Sequence, residues 1–277
     1  MNTQNEQQLL WNSSAGNAWV DMQETLDQLF QPFEALLTAT LPHGAVLDVG
    51  CGTGSTTLAA ARRVGPNNPC LGLDISEPML AVARTRSERA RSQARFIAAD
   101  AQHYAFEPAA FDSVISRFGV MFFEDSIQAF SNLHRAAKNG AALHFIAWRS
   151  PAENPFMTTA VRAALPLVPK LAATVDRPAD APGQFAFADA ERVRGILERS
   201  GWRDIRLQPI DVTCTFPEQD LVRYFTQLGP LGSALRELDS EARTAVVDTV
   251  RAAFEPFVDG PTVRFVAACW DARASAA

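Results

Sequence analysis

A chain of 277 residues with 47% apolar and 20% charged side chains can bury a sizeable core and lies far from the composition of disordered segments. Its formal charge of −6 and pI near 5.3 argue against a nucleic-acid partner, which requires a basic face. Four scattered cysteines, Cys51, Cys70, Cys214 and Cys269, form no Cys-x-x-Cys or Cys/His group, so neither a metal site nor a disulfide framework is expected.

Residues 1–8 are polar and lack the basic and apolar regions of a signal peptide, and no apolar run approaches bilayer-spanning length. A soluble cytoplasmic protein without a membrane partner is expected. From Leu9 to about Thr40, Trp19, Met22, Leu26, Leu29, Phe33 and Leu36-Leu37 recur at three- and four-residue steps, which predicts helix. Trp11 and Trp19 flank a small-residue turn. They are placed as a cover over a ligand, with helix packing as the alternative.

The segment from Ala45 to Ser55 carries most of the information. A buried-strand pattern (Ala45, Val46, Leu47, Val49) runs into Gly50, Gly52 and Gly54, and a helix pattern follows over 56–63. Such glycines let the chain turn sharply out of a strand and let a ligand lie on bare backbone, facing the unpaired amides of a helix start. A dinucleotide loop, Gly-x-Gly-x-x-Gly, would need glycine where Ser55 stands. Asp48, two residues before the first glycine, is awkward beside a pyrophosphate but suits a cationic ligand. Cys70 to Asp74 reads as a second strand, and an acid at its end can accept both hydroxyl hydrogens of a ribose, in nicotinamide enzymes as well. Ala94 to Gln102 is a third short strand ending in Asp100, and Phe111 to Phe123 (Phe-Asp-Ser-Val-Ile-Ser-Arg-Phe-Gly-Val-Met-Phe-Phe) a fourth strand with its loop.

On these residues the chain resembles the class I S-adenosylmethionine-dependent methyltransferases, whose first motif, acid-x-Gly-x-Gly-x-Gly, is filled by Asp48, Gly50, Gly52 and Gly54. The fourth strand and loop resemble the ubiquinone/menaquinone-biosynthesis type. The resemblance covers about residues 44 to 210. It implies a seven-stranded, mainly parallel doubly wound α/β sheet (a Rossmann-like methyltransferase fold) whose last strand is antiparallel and lies beside the fifth. It also implies S-adenosylmethionine as cofactor, held by Asp48, Gly50, Cys51, Gly52, Thr53 and Gly54, by Asp74, Ile75 and Met79, by Asp100, Ala101 and Gln102, and by Ser116. Asp100, with the following amide, would hold the adenine.

Helices are predicted over 77–90, with Pro78 in the first turn, and over 125–137, closed by Lys138-Asn139-Gly140. Residues 141–148 read as a fifth strand, 150–186 as a proline-rich irregular segment, and 187–199 as a helix with Asp189 as N-cap. A sixth strand over 202–210, a helical insert over 217–258 and a last strand over 262–270 complete the chain. The organisation expected is one methyltransferase domain, 1–277, carrying an N-terminal helical cover (9–41) and inserted lids (151–186 and 217–258).

Methyl transfer from a sulfonium is an in-line displacement, so positioning and exclusion of water dominate and a base is optional. The acceptor is expected above the strand ends, near Arg117, Phe118, Met121, Phe122, Trp148, Asn154 and Phe156, with Trp11 and Trp19 over it. Aromatic and thioether side chains suit a small flat acceptor methylated on oxygen, with carbon or nitrogen as alternatives. Arg117 could steady a carboxylate or phenolate, or pair with an acid of the cover. His103 is the candidate base, since His43, His134 and His144 fall away from the active edge. A nicotinamide-dependent oxidoreductase and a non-catalytic S-adenosylmethionine-binding module remain as alternatives, with the oligomeric state open between monomer and homodimer.

Overall fold

The computed structural model of the chain describes residues 3–175, 178 and 180–276. The first two residues of the polar opening and positions 176, 177 and 179 of the proline-rich segment lie outside the described residues. The predicted N-terminal helix divides into α1 (Thr3–Trp11), α2 (Ser14–Asp21) and α3 (Gln23–Ala39). The face of α3 bearing Leu26, Leu29, Phe30, Phe33 and Leu37 is buried, as its spacing requires.

The centre follows the predicted alternation: β1 (Val46–Val49), α4 (Ser55–Val64), β2 (Cys70–Asp74), α5 (Glu77–Arg89), β3 (Arg95–Ala98), β4 (Phe111–Arg117), α6 (Ser126–Ala136) and β5 (Ala137–Trp148). Then come α7 (Pro155–Ala164), α8 (Ala172–Val175), α9 (Ala190–Arg199), β6 (Trp202–Pro217), α10 (Leu221–Gln227), α11 (Gly229–Leu235), α12 (Ser240–Ala253), β7 (Val258–Asp259) and β8 (Thr262–Ala276). Asp189 caps α9 by accepting from the amides of Glu191 and Arg192, as predicted.

The sheet runs β3-β2-β1-β4-β5-β8-β6, with the two-residue β7 added to β8, so among the described residues it has eight strands rather than seven. Strands β1 to β5 are parallel, and β8 runs antiparallel between β5 and β6. Asp48 lies level with Gly72 on one side and Ile115 on the other, so the carboxyl ends of the parallel strands form one edge. From β1 the chain proceeds outward to β2 and β3, then returns to β4 on the other flank. The loops after β1 and β4 therefore diverge at a topological switch point, where doubly wound sheets bind ligands.

Two boundaries differ from expectation. Helix α6 needs no Lys138-Asn-Gly140 cap, because its last carbonyls, of Arg135 and Ala136, accept from the amides of Ala109 and Ala110. The chain enters β5 directly at Ala137, with an irregular register opposite Phe111 to Ser113. Strands β6 and β8 are also longer than predicted, because they pair with each other from Trp202↔Ala276 to Pro217↔Thr262. Cys214, Phe216, Val263 and Phe265 face a buried aromatic cluster on this ribbon. There Phe156 stacks on Phe265 at 3.8 Å between ring centres, with Phe216, Tyr224, Phe254 and Phe257 around it. The helices of the two predicted inserts thus pack on each other, α7 against α11 and α12.

Candidate active site

The loop after β1 is shaped by close approach. Gly50, Gly52 and Gly54 have φ of 68°, 54° and 86°, and a methyl group on Gly50 would lie 2.6 Å from the Cα of Gly119 in the loop after β4. Only bare backbone fits at that crossing. The Ser116 hydroxyl joins the same two loops, donating to the Val49 carbonyl at 2.7 Å and accepting from the Gly119 amide at 3.2 Å. Ser116 therefore sets loop geometry rather than presenting a free hydroxyl.

Three acids stand in order along the edge. Asp48 is 1% exposed; one carboxylate oxygen accepts from Thr57 Oγ1 at 2.6 Å and the other, Oδ1, is buried without a hydrogen-bond partner. Burial pushes its pKa up to about 6, against the opposing pull of the Thr57 hydroxyl and the Arg117 charge. Asp74 accepts from the Gly52 amide at 2.8 Å and the Ser76 amide at 2.9 Å, so it also braces the glycine loop. Burial raises its pKa, and these amides work in the other direction. Each of its oxygens retains a second lone pair for a ligand hydroxyl. Asp100 accepts from the Gln102 amide at 2.8 Å and lies 4.0 Å from His103 Nε2.

The smaller predicted contacts fall around these acids. Met79 is buried, its sulfur 3.7 Å from where a side chain on Gly52 would begin. The Ile75 carbonyl accepts from Asn12 Nδ2 at 2.8 Å, and the Ala101 carbonyl from Asn132 Nδ2 at 2.8 Å. The Gln102 side chain is spent on the Asp125 amide, Gln128 and His103. The Cys51 thiol is buried and its pKa raised, chiefly by burial and then by Asp74 and Asp48, so it is no nucleophile at neutral pH.

The N-terminal helices close over this edge. Asn12 caps α5 by accepting from the Glu77 amide at 2.9 Å, and the Ser76 hydroxyl donates to the Trp11 carbonyl at 2.6 Å. Trp11 meets Trp19 and Phe122 edge-to-face at 6.0 and 5.3 Å, and Trp19 stacks on Phe30. Arg86 fastens the cover to the loop: it donates to the Thr53 carbonyl at 2.9 Å and pairs with Asp27 of α3 at 2.5 Å. Beneath this clasp lies a cavity of about 30 Å³ lined by Trp19, Leu26, Asp27, Arg117 and residues of the loop Gly50–Thr53. On the other side of the clasp, α3 and α4 frame an open groove of about 530 Å³ that includes Glu34, Ser55 and Arg62. Asp27, Arg86, Asn12 and Thr57 were not anticipated from sequence. The acid Asp27, directly beside the buried Leu26 in α3, is the one signal the sequence offers.

Among the expected acceptor residues, Phe118, held at a φ of 64°, stacks on Trp148 at 4.6 Å, against Phe30 and Phe33. Met121 is buried, its sulfur accepting from the Trp148 amide. Asn154 and Phe156 do not join this group. Asn154 is buried and brackets β8, accepting from the Ala268 amide and donating to its carbonyl, and Phe156 sits in the cluster under the inserts. Apolar stacking and backbone hydrogen bonding have already used both side chains. His103 lies at the Asp100 end, hydrogen-bonded to Gln102 and Gln128 near α6. Among the described residues no group of three or more His, Cys, Asp or Glu could hold a metal, and no helix is long and apolar enough to cross a membrane.

The comparisons agree with this geometry. A family model described as a methyltransferase domain matches residues 46–140, from β1 into the start of β5. A demethylmenaquinone methyltransferase from Lactobacillus johnsonii is 25% identical over 173 residues, covering 60% of this chain and 70% of that protein. The same-named protein from Thermus thermophilus is 34% identical over 111 residues, covering 40% of this chain and half of that protein. The crystal structure of YcgJ from Bacillus subtilis superposes with a TM-score of 0.58 at 15% identity, over 88% of this chain and 98% of that one, which establishes a shared fold. These matches set aside the nicotinamide alternative. A domain model that begins at β1, and relatives whose alignments run well beyond a single motif, lead to one conclusion: residues 46–140 match a methyltransferase domain, and the chain is similar to the class I S-adenosylmethionine-dependent methyltransferases of the ubiquinone/menaquinone-biosynthesis type.

Proposed function

We propose that the enzyme methylates a small, flat aromatic acceptor on oxygen, with the donor lying along the edge formed by Asp48, Asp74 and Asp100. The observation that supports an aromatic acceptor is a set of rings near the loops after β1 and β4: Trp19 lines the cavity at the glycine loop, Trp11 and Phe122 continue from it, and Phe118 stacks on Trp148. Such rings orient a planar acceptor and exclude water.

The residues suit the donor in charge. S-adenosylmethionine supplies an activated methyl group on a positively charged sulfur. Asp48 offers a buried acceptor atom with no partner, Asp74 has lone pairs for ribose hydroxyls, and Asp100 stands next to Ala101 for the adenine. Room is a separate matter. A ligand of this size needs on the order of 300 Å³ or more, while the space directly over the loop is about 30 Å³. The Asp27–Arg86 clasp, which separates this space from the open groove between α3 and α4, parts to admit the donor in this reading.

In-line transfer requires alignment more than proton removal. His103, at the far end from the rings, takes the acceptor's proton only for an acceptor that reaches the Asp100 side, and His103→Gln distinguishes the cases. Activity within threefold of wild type with an unchanged pH profile means no base at this position. The reading as a whole is tested by methyl transfer to a panel of phenols, hydroquinones and aromatic amines, followed by mass spectrometry. An O-methylated phenolic product supports it, and products confined to the amines, or none with any member of the panel, overturn it.

A further inference from the structure

Arg117 is a buried cation whose purpose the fold does not explain. It ends β4, its guanidinium lies 5.5 Å from the Phe30 ring centre, and its Nη1 is enclosed without a hydrogen-bond partner. Burial acts against its charge, and Asp27, Asp48 and Glu34 support that charge from nearby, but no carboxylate pairs with it within ion-pair distance among the described residues. Asp27 is engaged by Arg86 and Gln23, and Asp48 by Thr57. A guanidinium left this way is costly unless something else completes it.

Its position narrows what that is. Arg117 is the single cation among the residues lining the cavity over Gly50–Thr53. The neighbouring strand β1 carries Asp48 one residue before its end at the same loop, and Asp48 Oδ1 is likewise buried without a partner. The two strand ends flanking the glycine loop thus carry one unfilled acceptor and one unfilled donor of opposite charge. An α-amino acid has that same pair of charges, an ammonium and a carboxylate on one carbon. We infer that Arg117 binds the α-carboxylate of the methyl donor while Asp48 faces its ammonium group, so the pair selects donors with an intact amino-acid end. The sequence placed Arg117 on the acceptor side. Its orphaned Nη1, on a residue that lines the cavity with Gly50–Thr53, assigns it to the donor instead. This inference rests on the proposed donor site, and the experiment separates the two.

The test is calorimetric binding of S-adenosylhomocysteine and of its decarboxylated analogue, which keeps the sulfur, ribose, adenine and amine, to wild type and to Arg117→Met and Arg117→Lys. Wild type should prefer S-adenosylhomocysteine by about thirtyfold or more, as for removal of one partner from a buried charge-assisted pair. In Arg117→Met the preference should fall to within threefold while the analogue binds as it does to wild type, and Arg117→Lys should be intermediate. A preference that survives in Arg117→Met overturns the inference. So does loss of both ligands, which would make Arg117 a support of the loop, or an effect confined to the acceptor's KM. Wild type that binds neither ligand overturns the donor site itself.

Discussion

Replacing Asp48 with asparagine should change how stability depends on pH in a direction opposite to most carboxylate substitutions. Burial holds the Asp48 carboxyl at about 6 in the folded protein, against about 3.9 in an unfolded chain. The folded state thus binds this proton more tightly, so stability is greatest below the unfolded value and is lost as pH rises through 6. Two units at 1.36 kcal/mol each give a full effect of about 3 kcal/mol, of which about 2 kcal/mol develops between pH 4 and pH 7. With the carboxylate 1% exposed, solvent screening reduces this little. Asparagine keeps an oxygen for Thr57 but puts an amide group where Oδ1 is unpartnered, at a cost of about 1–3 kcal/mol that does not vary with pH. The informative quantity is therefore the change with pH. Urea denaturation of both proteins at pH 4, 5, 6 and 7 should show Asp48→Asn gaining about 2 kcal/mol on wild type across the series. The Asp74 contribution, which has the same sign, is present in both proteins and cancels. A difference that stays flat with pH, or moves the other way, refutes the claim that Asp48 is a desolvated, unsatisfied acid. The same substitution should weaken the cationic donor and abolish a rise in its affinity between pH 5 and 7.

Gly50→Ala places a methyl group 2.6 Å from Gly119 Cα at a φ of 68°, so thermal unfolding should show a loss of about 2 kcal/mol or more and calorimetry a large loss of donor affinity. Asp27→Ala removes a partly buried ion pair whose arginine keeps its bond to the Thr53 carbonyl, so stability should fall by only about 1 kcal/mol. Stopped-flow binding should then show faster donor association, and limited proteolysis earlier cleavage in α1 to α3. Burial raises the pKa of Asp271, but the His144 ring 2.8 Å away and hydrogen bonds from Arg273 outweigh it and hold the carboxyl at about 2. Asp271→Asn should therefore cost about 2 kcal/mol at pH 7, and the cost should shrink as pH falls from about 4 toward 2, where the wild-type carboxyl protonates too.

The parallel half of the fold was readable because each strand there is a short apolar run that ends in its own turn chemistry. Val46–Val49, Cys70–Asp74 and Phe111–Arg117 are each bounded by glycine, acid or polar residues. The β6–β8 ribbon was read too short because residues 211–217 and 271–276 look polar or mixed in isolation. They become strand only through pairing with each other over a long sequence separation. The acids and glycines of the site lie where their strands end, since local sequence decides both. The cover's attachments were hidden for the opposite reason. Asn12 acts on Glu77 and Ile75, and Asp27 on Arg86, across intervals that no local pattern records. Asn154 and Phe156 resemble site residues by type, but β8 and the insert helices claim them first.

The central claim, that the acidic edge over the glycine loop is the seat of the methyl donor, is tested most directly by a crystal structure with S-adenosylhomocysteine. The account predicts ribose hydroxyls within hydrogen-bonding distance of Asp74, adenine beside Asp100 and Ala101, the amino-acid end against Gly50–Gly52, and the Asp27–Arg86 clasp displaced. Density for the ligand elsewhere on the molecule, with the clasp intact and the loop bare of ligand, would contradict it.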